Sequence, residues 1–200
     1  QWSFDPSSYV IFEHLGTDTE EQQWANYRIG EGKGVILWDN LNYAYNQNTM
    51  GSTSGSNIGR ADYESHGFAE RRNKTYGESH DEERLMYRNL TNGATNGVYN
   101  VKNLATALER QKAFAAALFT IPGPKMLWQF GELGFDLSIN RCANGTVNNN
   151  CRTDPKPSAF STTLNYYNDP QRKAVYDTWA KIINLRVNNE VFNTKTVQID

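Results

Sequence analysis

The sequence lacks any long apolar run and any block of charge of one sign. No apolar segment approaches the roughly 20 residues that a helix needs to cross a bilayer, so we expect no membrane span. The 20 Lys and Arg and 22 Asp and Glu are scattered along the 200 residues, giving a formal net charge of -2. Because a nucleic-acid-binding surface needs a concentrated basic stripe, we expect no nucleic-acid partner.

Cysteine is scarce, since Cys142 and Cys151 are the only two in the chain. No His and no third Cys lies near them in sequence, so a tetrahedral metal site is not expected. A disulfide closing the short loop between them is the favoured interpretation, and two unrelated free thiols are the alternative. A disulfide would place the protein outside the cytosol, which predicts a secreted, periplasmic or cell-surface location.

Several catalytic signatures are also missing. The chain has no Gly-x-Ser-x-Gly nucleophile motif, no Cys/His nucleophile arrangement and no Gly-rich loop opening a helix to hold phosphate.

The chain starts at Gln1 without a charged segment followed by an apolar one, so we expect a processed or cut piece of a longer protein. Although mean hydropathy is only -0.72, its 11 Tyr, 9 Phe and 5 Trp are large enough to build a core.

Continuous apolar runs alternate with helical patterns along the chain. The runs read as strands, and the segments with helical spacing or acidic first turns read as helices. Strands without polar alternation are typical of a parallel sheet covered on both faces, which predicts the α/β class. A long stretch without periodicity, 131–168, holds both cysteines and is expected to be functional. The predicted strands are 9–12, 34–38, 73–77 and 125–130, with a lone strand at 194–199, and the predicted helices are 18–27, 101–120 and 169–188.

Polar residues follow three of these strands. Glu13 and His14 follow the first, Asp81 follows the third, and Glu132 follows the fourth. The carboxyl ends of parallel strands form the edge where ligands bind. Two carboxyl groups facing one another can divide into acid and base, which glycosidic cleavage requires. Solvated loop charges or helix caps are the alternative. Aromatic residues near strand ends, such as Trp128, would suit stacking on sugars, although core packing is the more common role.

Three segments resemble a known family. Residues 9–13 (YVIFE), 78–81 (ESHD) and 121–132 (IPGPKMLWQFGE) are similar, in this order, to signature stretches of glycoside hydrolase family 13, the α-amylase family. Order and spacing agree across essentially the whole chain. The resemblance implies a partial (β/α)8 TIM barrel made of strands five to eight with their helices, with a long loop after the last strand. Residues 1–190 would form this half barrel, and 191–200 would begin a C-terminal β domain.

The resemblance also implies roles for individual residues. Glu13 would be the general acid/base, Asp81 would stabilise the oxocarbenium-like transition state, and His80 would hydrogen-bond the sugar. His14 would lie on the leaving-group side, and Trp128 would contact substrate. The implied activity is retaining hydrolysis of α-1,4-glucans such as starch and maltooligosaccharides. Arg152, Asp154 and Lys156 on the long loop could reach the substrate, although solvated loop charges are the favoured interpretation.

The chain departs from the family pattern at one essential place. No Asp preceded two residues earlier by Arg lies upstream of Glu13, so the family's nucleophile is missing, and Ser79 stands where Asn is common. We therefore expect the isolated chain to be weak or inactive without a missing N-terminal half or a second copy of itself. A non-catalytic half barrel that binds starch-like glucan is the alternative, and a structural domain with coincidental motifs is a third. Calcium is frequent in the family, but its ligands come from other segments, so we expect no metal or cofactor on this chain.

Overall fold

The computed structural model of the chain describes residues 1–195, 197 and 199. Its main sheet contains three parallel strands in the order β1–β2–β3, with Ile11 beside Ile36 and Leu37 beside Asn73. The strands lie at three of the predicted places, so the expectation of short, parallel strands there is confirmed. Their bounds are Ile11–Phe12 for β1, Ile36–Asn40 for β2 and Asn73–Tyr76 for β3.

The described part of the chain also contains five α-helices. Three of them fall within the predicted helical segments, whereas α2 and α3 were not predicted. Seven short 3-10 helices connect these elements. The helices are α1 (Asp18–Ala25), α2 (Asn42–Met50), α3 (Leu85–Asn92), α4 (Leu104–Thr120) and α5 (Pro170–Val187), and the 3-10 helices are Ile29–Glu31, Gly59–Ala61, Tyr63–His66, Gly131–Leu133, Asn149–Cys151, Tyr166–Asn168 and Glu190–Asn193.

The prediction of a partial (β/α)8 barrel is wrong. The described residues form the three-stranded parallel sheet and a separate two-stranded antiparallel hairpin, β4 (Thr95–Asn96) with β5 (Tyr99–Asn100), and contain no four-stranded barrel fragment. The predicted fourth strand, 125–130, meets β3 at one isolated bridge between Thr75 and Lys125. The fold is therefore a mixed arrangement of helices with two small sheets.

Local backbone chemistry explains why the segment 125–130 does not continue as a strand. The Met126 amide donates to the Thr75 carbonyl at 3.1 Å, and the backbone then leaves the sheet. Phe130 adopts a left-handed conformation with φ of 68°, from which a 3-10 helix begins. Because an extended strand requires negative φ, the chain cannot stay in the sheet through this position. The apolar run is therefore not a buried strand, and Leu127 within it is 40% exposed.

The C-terminal ten residues were predicted to begin a β domain. Within them the 3-10 helix Glu190–Asn193 ends just before the predicted strand 194–199. Residues 196, 198 and 200 lie outside the described part of the chain. The division of the chain at 190 and 191, and the strand itself, therefore stay predictions.

Helices α4 and α5 supply eight of the fourteen buried residues in the largest hydrophobic cluster. Trp179 of α5 meets the rings of Phe114 and Phe119 edge-on at 5.7 and 5.6 Å, and its indole N–H donates to the Gln111 carbonyl at 3.1 Å. The Phe114 ring also lies against Gly77, where an added Cβ would stand only 2.6 Å from it. Only glycine lets the backbone pass this close to the ring, so Gly77 allows the segment after β3 to pack directly against Phe114.

No helix in the described residues is long and apolar enough to span a membrane. The longest, α5, carries charged residues along its length, including Arg172, Lys173 and Asp177. Arg172 is buried and pairs with Asp136 at 2.8 Å. The buried residues of α5 are Arg172, Val175 and Trp179, whose spacing of three and four places them on one face of the helix.

Lys125 gives the fold a testable dependence on pH. Its ammonium donates to the Pro122 carbonyl at 3.0 Å, and burial, assisted by repulsion from Arg186 and Arg71, lowers the pKa of Lys125 from 10.5 to about 7. Between these two values the folded state binds fewer protons than the unfolded state, so stability rises with pH through that window. Below pH 7 the buried charge destabilises the fold.

Replacing Lys125 by Met should therefore raise the melting temperature most below pH 7 and have no such benefit above pH 10.5. Each kcal/mol regained corresponds to about 2–4 °C in a chain of this size. Thermal unfolding of both proteins at pH 6 and pH 10.5 measures the difference. Lys102→Met, at an exposed lysine, is the control and should show no such pH dependence. An equal gain for Lys125→Met at both pH values would contradict the buried-charge explanation.

Candidate functional site

Glu13, His80 and Asp81 meet at one end of the parallel sheet. His80 Nε2 lies 3.5 Å from Glu13 Oε1 and 3.4 Å from Asp81 Oδ2. One oxygen of each carboxylate and one imidazole nitrogen lie within 4.8 Å of one another. The three side chains are 45–54% exposed, so a ligand in solvent can reach them.

The strand order explains why residues so far apart in sequence come together. Glu13 directly follows β1, and the segment holding His80 and Asp81 follows β3, with β2 between them. Because the three strands are parallel, their carboxyl ends point to the same edge of the sheet. The prediction that polar residues after the strands would share an edge is thus met for these three residues.

Arg152, the residue directly after the disulfide-closed loop, binds Asp81. The Arg152 Nη2 atom donates to Asp81 Oδ1, to the Asp81 carbonyl at 2.9 Å and to the His80 carbonyl at 3.4 Å. From the other side, the Ser79 hydroxyl accepts a hydrogen bond from the Asp81 amide at 3.1 Å. The carboxylate is therefore oriented through both its side chain and its backbone.

The disulfide between Cys142 and Cys151 forms, as the sequence predicted. It closes the loop directly before Arg152. The Lys156 ammonium then donates to the carbonyls of Cys151, Arg152 and Asp154 at 2.7, 3.0 and 2.8 Å. Arg152 was predicted to be a solvated loop charge; its side chain is 42% exposed and pairs with Asp81, close to the disulfide and to Lys156. Whether it reaches a substrate stays a prediction.

Two tryptophan rings flank His80. Trp38 of β2 meets the imidazole edge-on at 5.9 Å between ring centroids, and Trp128 lies 6.0 Å from it. The Lys74 ammonium stands 4.3 Å from the Trp38 ring centroid. Burial lowers the pKa of Lys74, while the charge of Glu13 acts in the opposite direction. Trp128, which was predicted to contact substrate, thus lies beside His80, and its role stays a prediction.

A cleft of about 220 Å³ opens beside His80. This is below the roughly 300–1,000 Å³ of ordinary small-molecule pockets, so it suits one ring of a larger ligand. Aromatic and cationic side chains dominate its walls. They include His80, Arg84, Trp128, Phe135, Arg152 and Lys156.

Arg84, which lines this cleft, belongs to a buried ion pair. Arg84 Nη1 lies 3.0 Å from Glu78 Oε2, and the two residues are only 4% and 6% exposed. Glu78 Oε1 accepts from the Leu85 amide at 2.8 Å, and the Arg84 guanidinium lies over the Phe135 ring at 5.0 Å. The pair therefore ties the segment after β3 to helix α3 and to the loop beyond it.

The structure does not bring His14 into the polar contacts of this cluster. Its imidazole is turned towards α1, with Nε2 3.2 Å from Glu20 Oε1 and Nδ1 3.8 Å from Glu21 Oε1. Glu132 lies apart from the cluster as well. Burial raises the pKa of Glu132, and the nearby charge of Glu78 adds to this effect.

The cluster of Glu13, His80 and Asp81 has donor atoms spaced to hold a divalent cation, and so does the group of Asp18, Glu21 and His66. Exposed acidic groups of this kind are common without an ion. Nothing about these donors selects one metal, since carboxylates and a single imidazole suit several. The expectation of no metal and no cofactor on this chain stays a prediction.

The arrangement can move protons. A carboxyl group, an imidazole and a second carboxylate in one cluster can divide the roles of acid and electrostatic stabiliser. One oxygen of Glu13 and one of Asp81 lie within 4.8 Å of each other, so both carboxylates can face the same bound group.

Comparison with known proteins does not assign the chain to a family: no protein-family model matches it, and no similar protein is found among curated ones. Function is therefore inferred from the geometry of the cluster and from the chemistry of its residues.

Proposed function

We propose that this chain carries the acid/base part of a glycoside hydrolase of α-amylase type, which acts on α-1,4-glucans with retention. The observation that carries the proposal is the convergence of Glu13 and Asp81 on His80, with Trp128 and a ring-sized cleft beside them. Acid–base chemistry on a sugar needs this combination of two carboxyl groups and an adjacent apolar surface.

In the proposed reaction, Glu13 protonates the leaving glycosidic oxygen and later accepts a proton from the attacking water. Asp81 stabilises the positive charge that develops on the sugar, and His80 donates a hydrogen bond to a sugar hydroxyl. Arg152 keeps Asp81 oriented through its contacts with the side chain and carbonyl. The carboxylate nucleophile has no match in this sequence, so we propose that an upstream segment of the polypeptide or a second chain supplies it.

The cleft supports a neutral sugar as the substrate unit. Trp128 offers an apolar face, whereas Arg152 and Lys156 are already engaged with carbonyl groups or with Asp81 and so contribute little free charge. We further propose that the protein works outside the cytosol, because the disulfide that positions Arg152 forms and persists in oxidising compartments.

A chain that binds starch-like glucan without cleaving it is the second candidate. It is favoured by the missing nucleophile, since the cleft and its aromatic wall would serve binding equally well. The two functions differ in one measurable respect: only the enzyme has a turnover that depends on Glu13.

Binding of maltoheptaose, followed by calorimetry, tests whether the cleft takes glucan. Replacing Trp128 by Ala should weaken binding roughly tenfold, equivalent to about 1.4 kcal/mol, because the ring supplies the stacking face. Phe4→Ala is the control, since Phe4 is 92% exposed and outside the cleft, and it should change nothing. If Trp128→Ala and His80→Ala both keep the affinity of the original protein, the cleft is not the glucan site.

A further inference from the structure

Three asparagines begin the pattern Asn-x-Ser/Thr, which is the acceptor pattern for N-linked glycosylation in secreted proteins. They are Asn73, Asn89 and Asn144, and each is followed two residues later by Thr. The pattern alone is common by chance, and a glycan is bulky and hydrated. Burial therefore decides which of the three side chains can carry one.

The fold closes two of the three positions. Asn73 lies in β3 and is only 2% exposed, and its Nδ2 donates to Asp39 Oδ2 and to the Ala61 carbonyl, both at 3.0 Å. Asn89, in α3, is 0% exposed. A glycan on either side chain would have to pass through the core, so the folded protein cannot accommodate one at these positions.

Asn144 lies at the tip of the disulfide-closed loop and is exposed, as is Thr146. A tight turn shapes this tip, because the Gly145 amide donates to the Cys142 carbonyl at 2.9 Å and the Cys142 amide donates to the Thr146 carbonyl at 2.7 Å. Gly145 has φ of 91°, a conformation that side chains disfavour. The third acceptor pattern is thus displayed on a surface turn.

Thr146 already holds the oxygen of the Asn144 amide. Asn144 Oδ1 accepts from the Thr146 backbone amide at 3.0 Å and from the Thr146 hydroxyl at 2.7 Å. In the part of the chain that the structure describes, Asn144 Nδ2 makes no hydrogen bond. The hydroxyl that the pattern requires therefore orients and polarises the amide, while the amide nitrogen stays open to a reagent in solvent.

We propose that Asn144 is an N-glycosylation site, which is modified when the chain is exported. The co-reactant is an oligosaccharide joined through its C1 to a lipid diphosphate, and a membrane oligosaccharyltransferase brings the two together. A bond forms between Asn144 Nδ2 and C1, and the bond between C1 and the diphosphate oxygen breaks. The lipid diphosphate leaves with the bonding electron pair, and Nδ2 gives one proton to a base of the transferase.

A glycan at this place leaves the cleft beside His80 open, since neither Asn144 nor Thr146 lines it. It would cover residues 143–150, all of which are exposed. The inference depends on export through an oxidising compartment, for which the disulfide argues. It uses none of the residues of the proposed glycosidase chemistry, so the two succeed or fail independently.

The test is the intact mass of the full chain secreted from a eukaryotic cell, before and after treatment with a peptide N-glycosidase. The secreted protein should be heavier than its polypeptide by one glycan, and the enzyme should remove the whole excess. In water enriched in ¹⁸O the enzyme leaves a labelled aspartate at position 144, which tandem mass spectrometry locates. Deamidation of Asn144-Gly145 before the treatment gives aspartate without the label, so the two reactions are told apart.

Thr146→Ala and Asn144→Gln should each be secreted without the glycan, whereas Thr146→Ser should keep it because serine retains the hydroxyl. Asn150→Gln is the matched control, since Asn150 is exposed in the same loop and begins no acceptor pattern. All four substitutions are at exposed positions, and thermal unfolding checks that each variant folds. An unmodified Asn144 in the folded secreted protein, a glycan that survives Thr146→Ala, or a glycan at Asn73 or Asn89 would overturn the proposal.

Discussion

Glu13→Gln is expected to lower the rate of maltoheptaose hydrolysis about 10²–10⁴-fold in the form of the protein that cleaves glucan, because this is the usual contribution of general acid–base catalysis. Gln keeps the size of the side chain and removes its proton. Binding should change little, because the glucan contacts of the cleft come from Trp128 and His80. The loss should therefore appear in kcat and leave KM nearly unchanged.

A substrate with an acidic leaving group sharpens this test. Dinitrophenolate leaves from a dinitrophenyl maltoside without being protonated. Glu13→Gln should therefore slow the first step with this substrate far less than it slows the hydrolysis of maltoheptaose. Glu20→Gln is the matched control, since Glu20 is an exposed carboxylate of α1 that contacts His14 and not His80. Full-rate hydrolysis of maltoheptaose by Glu13→Gln would eliminate Glu13 as the acid.

Arg84→Met should have the largest effect on stability. The substitution leaves Glu78 buried without its charge partner, a change that costs about 3–5 kcal/mol. In a chain of this size, that corresponds to a fall in melting temperature of roughly 10 °C. Thermal unfolding followed by circular dichroism measures the change.

The double variant Glu78→Gln, Arg84→Met removes both charges, so it should recover much of the lost stability. Lys112→Met provides the surface comparison, because its pair with the exposed Glu109 is worth at most about 1 kcal/mol. If Arg84→Met melts within a degree of Lys112→Met, the ion pair does not stabilise the cleft in the way its burial indicates.

The sequence predicted two strands of the main sheet from uninterrupted apolar runs. The runs ending at Phe12 and Trp38 are continuous and apolar, and both form parallel strands where expected. The run 125–130 has the same character but makes only one isolated bridge to β3 and ends in a left-handed backbone at Phe130, which its sequence does not reveal. The hairpin β4–β5 was missed because its strands contain only two residues each, although Gly97, at φ 58°, begins its two-residue loop.

Helix α2 shows a different limit of prediction. Its sequence, NYAYNQNTM, carries no clear apolar stripe, and its helix is stabilised by packing of Ala44 and Tyr45 against residues distant in sequence, such as Phe114. The candidate site was predictable where it depends on strand ends, as for Glu13 and Asp81. Arg152 and the Arg84–Glu78 pair depend on contacts between loops, which local patterns do not encode.

The link between Cys151 and Arg152 has a practical consequence for anyone producing this protein. The bridge closes a loop of ten residues directly before Arg152, so its reduction would loosen the segment from which the guanidinium reaches Asp81. Protein made in a reducing bacterial cytoplasm would lack the bridge and would orient Asp81 less firmly. Refolding in air, or export to the periplasm, is the preparation on which any assay of this protein ought to rely.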